Sequence, residues 1–90
     1  MPIVQLPSQL AGFAGGRRRI DVEATTVADA FNALDALAPM LRSQVFEADG
    51  ALRRFIGLFV DERQVFDAAE LAAPIGATSR ILVVQSVAGG

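Results

Sequence analysis

The residues with the most distinctive chemistry are the last two, Gly89 and Gly90. They follow the apolar run "ILVVQSVA", where most chain ends carry a frayed polar tail that tolerates almost any sequence. Because glycines have no side chains, two of them form a narrow and pliable thread. We therefore expect the Gly90 carboxylate to be the working group, presented by the tail residues Val87, Ala88 and Gly89. The alternative is an incidental ending or a leftover expression linker.

The rest of the chain offers little for catalysis. It has no Cys and no His, and its 8 basic residues are all arginines. These absences exclude a disulfide scaffold, a cysteine nucleophile, a Cys-based zinc site and a lysine Schiff base. The missing His removes the commonest general base and metal ligand. We expect no enzymatic activity of its own, no bound cofactor and no metal.

Three charged clusters could suggest a catalytic, metal or nucleic-acid site. Asp21 with Glu23, and Asp61 with Glu62, are carboxylate pairs, but no His or third ligand converges on them. A strand face and a surface turn are the better interpretations. The arginines at 17–19 lack the aromatic stacking partners of a nucleic-acid site, which favours a solvated hairpin end.

Charge and hydropathy argue against nucleic-acid or membrane partners. The net charge of −2 gives no general attraction to nucleic acid or anionic membranes. No apolar run approaches the ~20 residues of a membrane span, and the N-terminus does not resemble a signal peptide. We expect a cytoplasmic protein.

The chain is long enough for one domain. Strands are predicted at 2–6 and 17–24, where Ile20 and Val22 alternate with charged residues, and the glycine-rich segment 7–16 reads as a loose connection. The best helix spans 25–38, capped by Thr25 or Thr26 and ended by Pro39. Its predicted apolar face consists of Val27, Phe31, Leu34 and Leu37.

The second half of the chain continues the sheet. A looser helical piece at 39–47 and a turn precede a strand, a tight turn and a short return strand within 52–66. A brief helical turn follows, with Leu71 and Ile75 as anchors. The last strand is apolar on both faces from Ile81 to Val84, which predicts a central position beside the first strand. This is an α+β, β-grasp (ubiquitin-like) order: a mixed sheet of four to five strands on one main helix. We expect a domain at 1–86 and a flexible tail at 87–90.

Several segments resemble the ThiS/MoaD family of ubiquitin-like sulfur-carrier proteins. They are "LPSQL…GG…IDV", "TTVADAFNAL", "LRRFIGLFVDERQV", "ELAAPIG" and the ending "SVAGG". Two turns depart from the family: Asp61-Glu62-Arg63 replaces an Asn-Gly-like turn, and Ala77-Thr78-Ser79 replaces a Gly-Asp-Glu or Gly-Asp-Ser.

The resemblance implies a function and three kinds of partner. A ubiquitin-activating-type enzyme would use ATP to adenylate the Gly90 carboxylate, and a sulfurtransferase or sulfide would convert it to a thiocarboxylate. A sulfur-accepting enzyme would then receive the sulfur in cofactor, cysteine or other biosynthesis. The length and ending are nearest to molybdopterin-synthase small subunits and cysteine-pathway carriers. A ubiquitin-like interaction module with an inert tail, and a protein modifier joined to lysines, remain alternatives.

Docking requires a surface as well as a tail. If Ile56, Leu58 and Val60 face the helix, strand alternation puts an apolar set on the other face. That set is Phe55, Gly57, Phe59, Leu82 and Val84. Arg53 and Arg54 open the same strand and are predicted to contact an acidic partner. The alternative is that the second helical piece covers this set.

Overall fold

The computed structural model describes residues 1–86, and in this part of the chain five strands form one mixed sheet. The strands are β1 (Ile3–Gln5), β2 (Arg19–Asp21), β3 (Ile56–Val60), β4 (Arg63–Val65) and β5 (Arg80–Gln85). The helices are α1 (Ser8–Ala11), α2 (Val27–Leu37) and α3 (Arg42–Val45), with 3-10 turns at Gly12–Ala14 and Ala68–Ala72. The predicted tail residues 87–90 lie outside the described part.

The last strand lies in the middle of the sheet, as predicted. The spatial order is β2-β1-β5-β3-β4, with β1 and β5 parallel and the other neighbouring pairs antiparallel. A parallel pair formed by the first and last strands requires a crossover, and α2 lies within it. The β-grasp prediction is therefore confirmed.

Helix α2 begins where its capping residues predict. The backbone amide of Asp29 donates to Thr26 Oγ1 at 3.0 Å, and the Thr25 hydroxyl donates to Asp29 Oδ2 at 2.9 Å. The first of these bonds satisfies a backbone amide that the first turn would otherwise leave free. The helix ends at Leu37, just before Pro39. Its buried face packs on the sheet through Val27, Ala30, Phe31 and Leu34.

The prediction that Leu37 belongs to this buried face is wrong. Leu37 is 57% exposed, whereas the next residue, Ala38, is buried. Around the helix axis Leu37 lies only about 20° from the buried Ala30, so its angular position does not explain its exposure. It lies in the last turn of the helix, beside a surface depression that Ile20 of the edge strand β2 also lines.

The segment 7–16 is also more ordered than predicted. It contains α1 and the following 3-10 turn, and it buries Leu10, Ala11 and Ala14 against the core. Leu10 and Ala14 are four residues apart, so one side of a short helix presents both. Gly15 and Gly16 have positive φ angles and end the helical path, and they do not make the whole segment loose.

The other two helical predictions are confirmed, with shorter bounds. In and around α3, Leu41, Val45 and Phe46 are buried, and the Phe46 ring meets Phe31 edge-on at 5.0 Å between centroids. After β4, Leu71 and Ile75 pack against the same core. None of the described helices has both the length and the apolar character needed to cross a bilayer.

The β3–β4 hairpin closes through a two-residue turn that normally favours Asn-Gly. Val60 pairs with Arg63, so Asp61 and Glu62 are the central residues, with φ angles of 48° and 72°. Positive φ at both positions defines a type I′ turn, whose twist matches that of the flanking strands. The turn thus keeps the geometry expected of Asn-Gly although its sequence differs. Glu62 is strained here, because a left-handed conformation costs an L residue roughly 1–2 kcal/mol.

Replacing Glu62 with glycine should stabilise the protein. Glycine adopts positive φ freely but loses more entropy on folding, so the net gain should be about 0.5–1 kcal/mol. For a domain of this size we expect Tm to rise by about 2–8 °C. The matched control Glu62→Ala removes the same carboxylate but keeps a Cβ, and its Tm should stay near that of the wild type. Equal gains from both variants would contradict the strain at Glu62.

Candidate functional site

The sheet face opposite the helices carries an apolar group of side chains. Along β3 and β5, Leu58, Ile81 and Val83 are fully buried beneath the helices, so the residues between them point the other way. We call this second group the outer patch. Within the strands it consists of Gly57, Phe59, Leu82 and Val84, and we include the exposed Phe55, which immediately precedes β3.

Within residues 1–86 the outer patch is not covered by a helix. All three helices contribute buried side chains to the core on the inner face, for example Leu10, Phe31 and Val45. The alternative that the segment 39–47 covers the outer patch is therefore excluded. Phe55 is 42% and Leu82 37% exposed, and Phe59 and Val84 are half-buried. Exposed apolar groups of this kind mark contact surfaces.

Strand register brings the middle of the outer patch into one row across the sheet. Leu82 of β5 is paired with Phe59 on one side and Gln5 on the other. The row ends in polar residues at both edges, Arg19 of β2 and Gln64 of β4. The face is thus apolar at its centre and polar at its rim, which is the usual anatomy of a protein interface.

Gly57 keeps this surface closely packed. It is paired with Val84, and an added Cβ would lie 2.8 Å from Val84 Cγ2 and 3.5 Å from Phe59 Cε1. The first distance is far inside van der Waals contact, and Val84 is β-branched and stiff. A side chain at 57 would therefore push Val84 away and change the shape of the outer patch.

The two predicted arginines have different surroundings. The Arg53 guanidinium donates from Nη1 to the carbonyl oxygen of Ser43 at 2.9 Å. The backbone amide of Arg53 donates to the carbonyl oxygen of Val45, also at 2.9 Å. Arg53 thus connects the start of β3 to α3. The Arg54 guanidinium lies over the Phe55 ring, 5.2 Å from its centroid. Arg54 is therefore the arginine that borders the outer patch.

A shallow depression of about 660 Å³ lies where the outer face meets the β3–β4 turn. Phe59 and Leu82 form part of its wall, and Asp61 and Arg80 contribute charges of opposite sign. Asp61 is tied to β5 twice: its amide donates to the Arg80 carbonyl at 3.0 Å, and its Oδ1 accepts from the Arg80 amide at 2.9 Å. These bonds extend the β3–β5 ladder into the turn.

The same contacts lower the pKa of Asp61. The backbone hydrogen bond from Arg80 has the largest effect, followed by a hydrogen bond from Ser79, and the Arg80 charge acts in the same direction. A carboxyl whose pKa is lower in the folded than in the unfolded state stabilises the fold above its unfolded pKa. That stabilisation is lost as the pH falls through the folded pKa.

This yields a pH prediction for Asp61→Asn. At pH 7 the variant should unfold at lower urea than the wild type, because it lacks the carboxylate that Arg80 and Ser79 stabilise. As the pH falls below the ordinary Asp value of 3.8, the two urea midpoints should converge. A midpoint difference that is the same at pH 7 and at pH 2.5 would contradict this role.

The carboxylate pairs do not form a metal site in the described residues. No group of three or more Asp or Glu side chains converges within residues 1–86. Asp21 and Glu23 are exposed near β2, and Glu62 occupies the hairpin turn. Among these four side chains, only that of Asp61 makes a hydrogen bond within residues 1–86.

The predicted tail, Val87, Ala88, Gly89 and Gly90, lies outside the described residues. The last described residue, Ser86, donates its backbone amide to the Phe55 carbonyl at 2.8 Å. The chain therefore passes from β5 toward the predicted tail beside one end of the outer patch. Sequence reasoning missed this contact. It joins two backbone groups, so the side chain at position 86 gives no sign of it.

Sequence reasoning also missed Gln5 and Arg80, which lie in the row or the depression described above. A signal was present for both. Gln5 stands between Val4 and Leu6, and Arg80 precedes the buried Ile81, so alternation places both on the outer face.

Comparison with solved structures finds relatives of the same size and fold. A chain of the Amycolatopsis orientalis BexX/CysO complex has a TM-score of 0.87 and 21% identity, with 100% of both chains covered. Mycobacterium tuberculosis CysO, described as an antigen, has a TM-score of 0.86 and 20% identity over 97% of this chain and 100% of that one. These identities show the fold alone.

A more similar sequence is SAMP1, the small archaeal modifier protein 1, from Haloferax volcanii. It is 32% identical over 99% of this chain and 98% of its own, with a TM-score of 0.73. Neither models of known protein families nor curated proteins match the chain.

Proposed function

We propose that this chain, which belongs to the ThiS/MoaD family of ubiquitin-like sulfur-carrier proteins, carries its sulfur as a thiocarboxylate at Gly90. The observation that supports this most is the position of β5. It is the central strand, its inner side chains are buried, and the residue that follows it, Ser86, is bonded to Phe55 at one end of the outer patch. A rigid strand gives the tail a defined starting point next to a docking surface.

The Gly90 carboxyl must be activated before it accepts sulfur. A C-terminal carboxyl has a pKa of about 3.3–3.7, so at neutral pH it is a carboxylate and a poor electrophile. In our proposal a ubiquitin-activating-type enzyme joins it to the α-phosphate of ATP and releases pyrophosphate. Sulfide then attacks the acyl carbon and AMP leaves, which gives the thiocarboxylate directly. If the terminal sulfur of a persulfide attacks instead, the product is an acyl disulfide. A thiol must then attack the donor sulfur of that S–S bond, forming a disulfide with the donor and releasing the thiocarboxylate. ATP is the substrate of that enzyme, and we propose no cofactor bound by this chain.

Tail length and width fit this chemistry. Four extended residues, Val87 to Gly90, span at most about 13–14 Å, enough to enter a closed site from a docked surface. Glycine at the last two positions keeps the thread narrow and permits dihedral angles that a Cβ would forbid. The chain then acts as a protein co-substrate, and its partners provide the catalytic groups.

The outer patch is the docking surface in this proposal. Its centre, Phe59 and Leu82, offers apolar area, and Arg54 at its border favours a partner with an acidic group nearby. Because activation uses ATP, we place these events in the cytoplasm. The partners are the adenylating enzyme, the sulfur donor and the sulfur-accepting enzyme, in cofactor, cysteine or other sulfur-metabolite synthesis. The alternative within this class is the small subunit of molybdopterin synthase, in which the same tail would deliver sulfur to a permanently bound partner.

The test is the intact mass of the protein after incubation with the activating enzyme of its source organism, ATP and sulfide. The proposal predicts the gain of one oxygen-to-sulfur exchange, dependent on ATP. An unchanged mass, with an enzyme shown to be active on ATP, would contradict it and favour an interaction module with an inert tail.

A second candidate is a covalent modifier of other proteins. It is favoured by the 32% identity with a protein named small archaeal modifier protein 1. The same acyl-adenylate supports it: a lysine amine of another protein attacks the carbonyl, and an amide forms as AMP leaves. Conjugates of higher mass in cell extract, lost when Gly90 is removed, would establish this activity.

A further inference from the structure

The turn at the start of β3 has a phenylalanine where this type of turn normally has glycine. The Ile56 amide donates to the Arg53 carbonyl at 3.1 Å, which closes a four-residue turn with Arg54 and Phe55 at its centre. Phe55 has a φ of 68°. Positive φ at the third position defines a type II turn, and glycine or asparagine is usual there. For a bulky aromatic residue this conformation is a genuine outlier.

Burial does not explain why phenylalanine occupies this strained position. The residue is 42% exposed and is not part of the core cluster. The Phe55 ring contacts the Arg54 guanidinium, and a cation–π contact at an exposed site contributes little to stability. Backbone strain that persists without a structural return points to a functional role.

The Phe55 carbonyl has a specific partner. Ile56 pairs with Gln85 at the end of β5, and the bond from the Ser86 amide to the Phe55 carbonyl continues that ladder by one residue. The strained turn thus holds the last described residue before the predicted tail. It also places Phe55 opposite Ser86, at the end of the described chain that leads into the predicted tail.

We propose that the Arg53–Ile56 turn positions the tail: the Phe55 carbonyl holds Ser86, and the Phe55 ring contacts the partner at the entrance through which the tail passes. The proposal rests on the sulfur-carrier function described above. It assigns two separable effects to one residue. The backbone bond aims the tail, and the ring contributes to docking.

The backbone bond is tested by Ser86→Pro against Ser86→Ala. Proline removes the N–H donor, whereas alanine keeps it and removes only the hydroxyl. In steady-state loading by the activating enzyme with ATP and sulfide, followed as pyrophosphate release, Ser86→Pro should lower kcat roughly tenfold to a hundredfold, because small misplacements of reacting groups are costly. KM should change little, and Ser86→Ala should behave as the wild type.

The ring is tested by Phe55→Gly against Phe55→Ala. Both variants remove the ring, so both should raise KM about tenfold with kcat nearly unchanged, the pattern of a lost docking contact. Of the two, only glycine relieves the backbone strain of the positive φ, so the Tm of Phe55→Gly should be about 4–8 °C above that of Phe55→Ala. If the ring had only a structural role, its loss in the stable Phe55→Gly variant would leave KM unchanged. That result would overturn the docking role of the ring.

Hydrogen exchange gives a readout that needs no enzyme. The Ser86 amide should exchange at least about tenfold more slowly than in an unfolded chain, and equally so in Phe55→Gly. An unprotected Ser86 amide, or a normal kcat for Ser86→Pro, would overturn the positioning role. If the wild type itself is not adenylated, the proposed function fails; if it is and the variants match it, only this inference fails.

Discussion

Deleting Gly89 and Gly90 should abolish sulfur loading and leave the folded domain intact. The new terminal carboxyl, on Ala88, would stop about 7 Å short of its normal reach, since each extended residue spans ~3.3–3.6 Å. Reacting atoms must approach to about 3–3.5 Å, and misplacement by as little as 1 Å can cost a hundredfold in rate. We expect loading to fall by at least about a hundredfold, to an undetectable mass change.

Two controls isolate this effect. The deletion should leave Tm unchanged, because the core and the sheet lie within residues 1–86. Gly12→Ala alters a glycine at which an added Cβ meets nothing within 4 Å, so this variant should load as the wild type does. Normal loading of the shortened chain would refute the assignment of Gly90.

An aspartate at Leu82 or Phe59 should prevent docking without unfolding the protein. Both side chains lie in the centre of the outer patch, and Leu82 is partly exposed, so a carboxylate there remains hydrated in the free protein. On docking, that carboxylate would be buried in an apolar contact at a large cost in desolvation. We expect Kd for the activating enzyme, measured by calorimetry, to rise at least about thirtyfold, which corresponds to ~2 kcal/mol.

The matched control is Leu37→Asp. Leu37 is also an exposed leucine, but it lies at the end of α2, away from the outer patch. This variant has the same chemical change and should bind as the wild type does. If Leu82→Asp also binds normally while retaining its Tm, the outer patch is not the docking surface.

The sheet was predictable from the sequence because its strands either alternate apolar and charged residues or are continuous apolar runs. Ile20 and Val22 lie between charged residues, and Leu58 and Val60 flank Phe59, so each strand has one apolar inner face. The central position of β5 followed from an apolar run on both of its faces. The structure explains the second apolar face differently: Leu82 is exposed there as part of the outer patch.

Two predictions about local structure were wrong, those for the segment 7–16 and for Leu37. Three glycines in the segment 7–16 indicated a loose connection, yet Leu10 and Ala14 at helical spacing bury one side of a short helix. Leu37 fits the helical repeat but is exposed in the last turn of α2, beside the edge strand β2.

The site was predictable only in part. Alternation identified the outer patch, but it could not separate Arg53, which bonds to α3, from Arg54, which borders Phe55. The Phe55 contact with Ser86 joins residues that are far apart in the chain. It depends on a left-handed φ that a phenylalanine does not predict. Such a contact follows from the register of β3 and β5 and requires coordinates.

The most direct measurement of the central claim is the mass of the C-terminal peptide after loading with ATP and sulfide. The chain contains no cysteine, so a cysteine persulfide cannot account for a gain in sulfur. The account predicts one oxygen-to-sulfur exchange, located on the carboxyl of Gly90. A C-terminal peptide with an unaltered mass, from protein that has nevertheless delivered sulfur to an acceptor, would contradict it.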